Sequence, residues 1–146
     1  MSTVKKDDVP AEVAWIPEAI RFAQDTESGA VIEQLTSDVV ISTNIYCEQR
    51  YTSADGARIA IKRTPFGQPN QLWVCDMRSL RLSRVDEGDP IASNWAKSAV
   101  YYTTTQDDGA RLMRLDLSDL TMREMIHFDG APPAVGAISP DERCFI

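Results

Sequence analysis

The chain has 146 residues, 43% hydrophobic and 25% charged, which suits one soluble globular domain with a sizeable apolar core and excludes a disordered chain as the default. Fifteen basic against twenty-two acidic residues give a net charge of −7, and the one basic pair, Lys5 and Lys6, is followed at once by Asp7 and Asp8. That argues against nucleic acid as a partner, because phosphate binding needs clustered cations, while leaving room for one local positive cleft and an anionic substrate.

The first twenty residues, MSTVKKDDVPAEVAWIPEAI, lack the apolar run of a signal peptide, and no stretch reaches the length of a membrane span. No membrane partner is therefore expected, and the expected location is cytoplasmic. Residues 21–36, RFAQDTESGAVIEQLT, read as strand, turn over 25–29 and strand, with Gly29 at a position suited to positive φ. They are taken as the outer hairpin of an incomplete first unit. Residues 37–49 read as a connection, and a full unit of short strands follows over about 50–88. Another covers about 95–129, a Gly- and Pro-rich connection runs over 129–137, and the inner strand of a further unit begins at 138.

The units repeat. QLWVCDMRSLRLSRV, residues 71–85, sets without gaps on RLMRLDLSDLTMREM, residues 111–125, at a shift of 40, with Leu72 on Leu112, Asp76 on Asp116 and Leu80 on Leu120. Only three of the fifteen pairs are identical, but both copies read as strand, polar Asp-x-x-Ser/Asp-Leu corner and alternating strand, which is a β-hairpin. SADGARIAI, from Ser53, is matched by SPDERCFI, from Ser139, and Asp55 to Asp141 spans 86 residues, twice 43. Halfway between them, NWAKSAVYYTTT keeps the β-rich strand but has no Asp-Gly turn. A period near 40 with about four short strands marks a propeller blade. The expected fold is thus all-β, a partial β-propeller of repeated antiparallel blades forming the N-terminal part of one domain, with a small β-sandwich as the alternative. Two whole blades and two parts cannot close a ring, so the chain is expected to be the front portion of a longer protein.

The run QLTSDVVISTNIYCEQRYTSADGARIAIKRTPFGQPNQLWVCDM, with its Ser/Thr-x-Asp-Gly turn and Leu-aromatic-x-x-Asp hairpin, resembles the opening of oligogalacturonate lyases and the wider TolB-type propellers. AVYYTTTQDDGARLMRLDLSDLTMREMIHF is similar to their following blade. The resemblance covers about residues 15–146. It implies a cytoplasmic propeller that cleaves oligouronates by β-elimination, with a divalent metal, typically manganese, held largely by histidines in later blades. This chain has one histidine, His127, so no metal site is expected within it and the catalytic residues are expected beyond residue 146. Elimination beside a uronate carboxylate needs a base for the C5 proton and positive charge for the enolate-like intermediate. Arg clamps the carboxylate with two parallel donors. The candidate substrate-binding residues are Gln49 and Arg50, in the approach to an inner strand, and Arg63 just past its end.

Other features read as structural. Trp73, Trp95, Tyr101 and Tyr102 are expected to pack between blades, although such rings can also stack on sugars. His127 reads as an exposed or satisfied strand residue. Cys47, Cys75 and Cys144, odd in number and without a C-x-x-C pair, read as buried thiols. The Asp107–Asp108–Gly109 run is a hairpin turn signal. Neither a Gly-rich phosphate loop nor a Gly-x-Ser-x-Gly elbow is present. Two rival classes share this front end: a non-catalytic TolB-type propeller serving as a protein-binding platform, and the propeller domain of a serine peptidase.

Overall fold

The computed structural model describes residues 9–10, 13–45, 48–132 and 136–145. Among these, eleven strands run in chain order: β1 (Val9–Pro10), β2 (Ile20–Arg21), β3 (Glu33–Gln34), β4 (Ile41–Thr43), β5 (Arg58–Thr64), β6 (Gln71–Asp76), β7 (Arg81–Glu87), β8 (Asp89–Asn94), β9 (Ala99–Gln106), β10 (Gly109–Asp116) and β11 (Thr121–Phe128). They pair antiparallel as a hairpin β2-β3, a meander β4-β5-β6-β7 and a sheet β1-β11-β10-β9-β8. The fold is all-β, and the sheets do not close into a ring.

Consecutive apolar residues in the central strands, Leu72 to Cys75 in β6 and Ala99 to Tyr102 in β9, give each meander two buried faces, and the apolar clusters follow those faces. Ala60, Leu72 and Val74 of one meander meet Val100, Tyr102 and Leu115 of the other in the central core. The reverse face of the first meander, with Ile61, Cys75 and Leu82, takes Ala19 and Leu35 beside the β2-β3 hairpin. The reverse face of the second, with Ala92, Tyr101 and Leu112, takes Ile138 and Phe145. Four successive units thus stack face to face, which is blade packing.

Both expected turns take the conformation that their sequence dictates. Asp25, Asp76 and Asp116 open the three hairpin corners: the first two carboxylates accept the N–H groups of the residues two and three positions on, and Asp116 accepts that of Ser118, two positions on. Four residues after each Asp the chain enters the left-handed region, at Gly29 (φ 71), Leu80 (φ 52) and Leu120 (φ 63). The Ser-x-Asp turns also coincide: Ser53 donates to Asp55 and Ser139 to Asp141, both at 2.6 Å, and the bridges Thr52↔Ile59 and Ile138↔Phe145 are 86 residues apart. In the middle copy, Asn94 pairs with Ala99 across four residues, as Ser53 N–H bonds the Arg58 carbonyl and Ser139 N–H the Cys144 carbonyl across four, but a 3-10 turn over Trp95–Lys97 with Ser98 at φ 49 replaces Asp-Gly.

Two leucines at positive φ allow a paired test. Leu80 is half-buried, so Leu80→Gly relieves about 1 kcal/mol of left-handed strain against a similar loss of packing and leaves stability within about 1 kcal/mol of wild type. Leu120 is 4% exposed in the central core, so Leu120→Gly costs about 2 kcal/mol net. Urea unfolding of both variants reads the difference.

Strand positions differ from expectation at two places. β4 lies within residues 37–49, read as a connection, because a three-residue edge strand carries too short a pattern to register. β8 opens at Asp89, ahead of 95; Pro90 disguises it, a proline tolerated here because β8 is an edge strand with a register shift between Pro90 and Ala92. One feature had no sequence signal. The N-terminal segment crosses the outer edges of both meanders, with Val9–Pro10 on β11 and Ile16 bonded both ways to Leu82 of β7. It covers edges that would otherwise offer unpaired backbone groups to another chain.

Candidate functional site

The inner edge of β5 is paired by two separate segments. Ile41–Thr43 pairs with its far half, and Tyr51 to Ser53 bond its near half through Ala60 N–H to the Tyr51 carbonyl and Ser53 N–H to the Arg58 carbonyl, both at 2.9 Å. Among the described residues between them, 44–45 and 48–50 belong to no strand. The gap opens a cleft of about 450 Å³ lined by Leu35, Thr43, Asn44, Gln49, Arg50 and Ile59 among others. Apolar walls with a few placed polar groups are the usual make-up of a small-ligand site.

Two of the three residues singled out from the sequence lie here. Gln49 is held on both ends of its amide: Oε1 accepts from Ser93 N–H at 2.9 Å, the Ser93 hydroxyl and the Tyr51 hydroxyl, and Nε2 donates to the Gly136 carbonyl at 3.1 Å. It therefore joins both meanders and the following connection at the cleft. Arg50 is exposed, with its guanidinium over the Trp95 ring at 4.9 Å. No carboxylate pairs with it among the described residues. The ring holds the guanidinium face and leaves its N–H edges available, the arrangement that grips a carboxylate with two parallel bonds.

Arg63 is placed differently. It is 2% exposed, packed over the Trp73 ring at 4.3 Å, and its terminal nitrogen contacts Glu18 at 2.5 Å. Glu18 also accepts the N–H groups of Ser37 and Asp38 at 2.8 and 3.0 Å. Burial pushes the Glu18 pKa up, but the hydrogen bond from Arg63 and those two N–H groups outweigh it and hold the carboxyl below its ordinary value. Arg63 thus fixes the segment before β4 to the sheet, and it is not among the residues that line the cleft.

The aromatic residues divide likewise. Tyr101 and Tyr102 are fully buried on opposite faces of β9 and Trp73 packs beside Cys75, whereas Trp95 is 40% exposed beneath Arg50. Its role had one sequence signal: a tryptophan stands in the turn where the other copies have Ala54 and Pro140. Cys75 is a buried thiol whose pKa burial and nearby carboxylates push up to about 11, so it stays protonated and inert. Cys144 is exposed, contrary to expectation, while the next residue, Phe145, packs against the Ala92, Tyr101 and Leu112 cluster; Cys47 lies outside the described residues. His127 is exposed on β11, 3.7 Å from the fully exposed Asp129 carboxylate. No group of three His, Cys, Asp or Glu side chains that could hold a metal occurs among the described residues, and these residues do not fit a multi-histidine manganese site.

Neither a family model nor a curated relative matches the chain. Among solved structures it is similar to an oligogalacturonate lyase from Vibrio parahaemolyticus, with a TM-score of 0.51 and 16% identity over 82% of this chain and 32% of that one. It is similar to TolB from Acinetobacter baumannii, with a TM-score of 0.51 and 13% identity over 92% of this chain and 35% of that one. An oligogalacturonate lyase in complex with manganese gives a TM-score of 0.49 and 21% identity over 86% of this chain and 32% of that one. The chain spans about a third of the length of these structures. At such identities the likeness concerns the fold, which is that of a partial β-propeller.

Proposed function

We propose that this part of a β-propeller is the N-terminal portion of an oligouronate-cleaving lyase, with the cleft beside β5 gripping a substrate carboxylate. The supporting observation is Arg50, an exposed guanidinium braced on Trp95, free of any described carboxylate partner, at a cleft in a chain of net charge −7. Arg50 clamps the carboxylate, Gln49 fixes the loop that carries it, and positive charge beside the uronate favours the enolate-like intermediate of β-elimination. The base that removes the C5 proton, and the histidines that hold the divalent metal, belong to the remaining blades. A cytoplasmic location completes this reading.

A non-catalytic platform is the second reading, supported by the equal TM-score of 0.51 to TolB. The serine peptidase class would require a hydrolase domain outside these 146 residues. Incubation with digalacturonate separates the first two, read by absorbance of the unsaturated product. A polypeptide that completes the ring yields product and residues 1–146 alone yield none. Turnover by residues 1–146 would contradict placing the chemistry elsewhere, and a completed ring without turnover leaves the platform.

A further inference from the structure

Glu142 stands in the last Ser-x-Asp turn at φ 62, where the earlier copy has Gly56 at φ 70. A side chain is disfavoured in that conformation, so its presence calls for a compensating contact. The contact is a cluster of donors on the neighbouring sheet. The Glu142 Oε1 atom accepts from Arg114 Nε at 2.9 Å and from the Tyr101 hydroxyl, while Oε2 lies 3.1 Å from Lys97 Nζ and 3.6 Å from an Arg123 terminal nitrogen. These donors come from β9, β10, β11 and the turn before β9.

Without Glu142, that surface presents, among the described residues, three cations, one buried phenol, the Asp116 carboxylate 3.3 Å from Arg114, and Asp141 of the same turn, whose pKa Lys97 helps to lower. The Glu142 side chain is 11% exposed, and burial raises its pKa, but Tyr101, Arg114 and Lys97 together hold it down to about 2. Its folded pKa lies below its ordinary value of 4.5, so its contribution to stability is present above about pH 4.5 and is lost as pH falls towards 2.

We infer that Lys97, Tyr101, Arg114 and Arg123 form a carboxylate receptor on the sheet face, filled in cis by Glu142, which thereby docks the next blade. Its ligand class is a small monoanionic carboxylate, since one oxygen accepts two hydrogen bonds and the other faces two cations, Lys97 at 3.1 Å and Arg123 at 3.6 Å. The site is distinct from the Arg50 cleft and independent of the reading given to it.

Glu142→Gly vacates the receptor and keeps the turn conformation, as Gly56 does. Its Tm in sodium chloride falls by several degrees below wild type, and replacing chloride with formate at equal ionic strength restores most of the loss, saturably. Wild type and the double variant Glu142→Gly/Arg114→Met show no formate-specific rise. Glu142→Gln, a neutral occupant, is destabilised but unresponsive. If the glycine variant is unfolded in chloride, refolding on addition of formate carries the same meaning. Equal Tm in formate and chloride, failure to refold in formate, or an equal formate response in wild type or the glutamine variant would overturn the receptor.

Discussion

Replacing Glu18 by Gln or Arg63 by Ala lowers stability by about 3–5 kcal/mol, because each change leaves one member of a buried ion pair without its partner. Arg63 is 2% exposed and its Nε atom has no hydrogen-bond partner even in wild type. The guanidinium therefore carries a desolvation cost that, among the described residues, Glu18 and the Trp73 face offset. Removing the carboxylate exposes the whole of it. The double replacement Glu18→Leu/Arg63→Met loses much less than the two single losses together, since no unpaired charge remains. Chemical denaturation of the three variants checks the cycle. The pH dependence has a defined sign: the Glu18 pKa is lowered on folding, so its contribution is present above its unfolded pKa and disappears as pH falls through the folded one. Glu18→Gln flattens that part of the acid limb.

Gly109→Ala has a comparable effect from a steric cause. Gly109 has φ 129, and a Cβ there would stand 2.2 Å from the Phe128 carbonyl oxygen of β11, an atom that backbone pairing of β10 with β11 holds in place. The strand must shift or break, and the expected loss is at least about 3 kcal/mol or failure to fold at 37 °C. Gly56→Ala is the matched control: φ is 70 but nothing lies within 4 Å of the added Cβ, so about 1 kcal/mol is lost. Thermal unfolding of the pair separates clash from conformational preference.

The architecture was legible where local chemistry repeats. Asp-x-x-Ser/Asp corners and Ser-x-Asp turns determine backbone geometry through hydrogen bonds within four or five residues, so a short pattern is enough to place them. β4 and β8 were obscured because edge strands of three to six residues, one holding Pro90, owe their conformation to pairing with β5 and β9. The pairing of Ile16 with Leu82 joins residues too far apart for any local signal.

The candidate site was legible in residue type more than in environment. Gln49 and Arg50 precede an inner segment, and the cleft appears where that strand is interrupted. Arg63 has the same chemistry, but the alternation of β5 turns it to the buried face against Trp73, and its partner Glu18 lies 45 residues away. Glu142 could have been noticed as a glutamate standing where the matching turn has glycine, but its four donors lie on strands and a turn that only the fold brings together.

We propose that Arg50, braced on Trp95, binds a carboxylate at the cleft. The most direct measurement is a titration of the 146-residue protein, followed at the Trp95 indole N–H and the amides of residues 49–52 by two-dimensional NMR. Digalacturonate should shift these resonances saturably, the neutral galactose disaccharide should leave them nearly unmoved, and Arg50→Ala should weaken the response at least about tenfold, the effect of losing a charge-assisted bidentate bond. Equal responses to the acidic and neutral sugars, or an undiminished response in Arg50→Ala, would contradict the assignment.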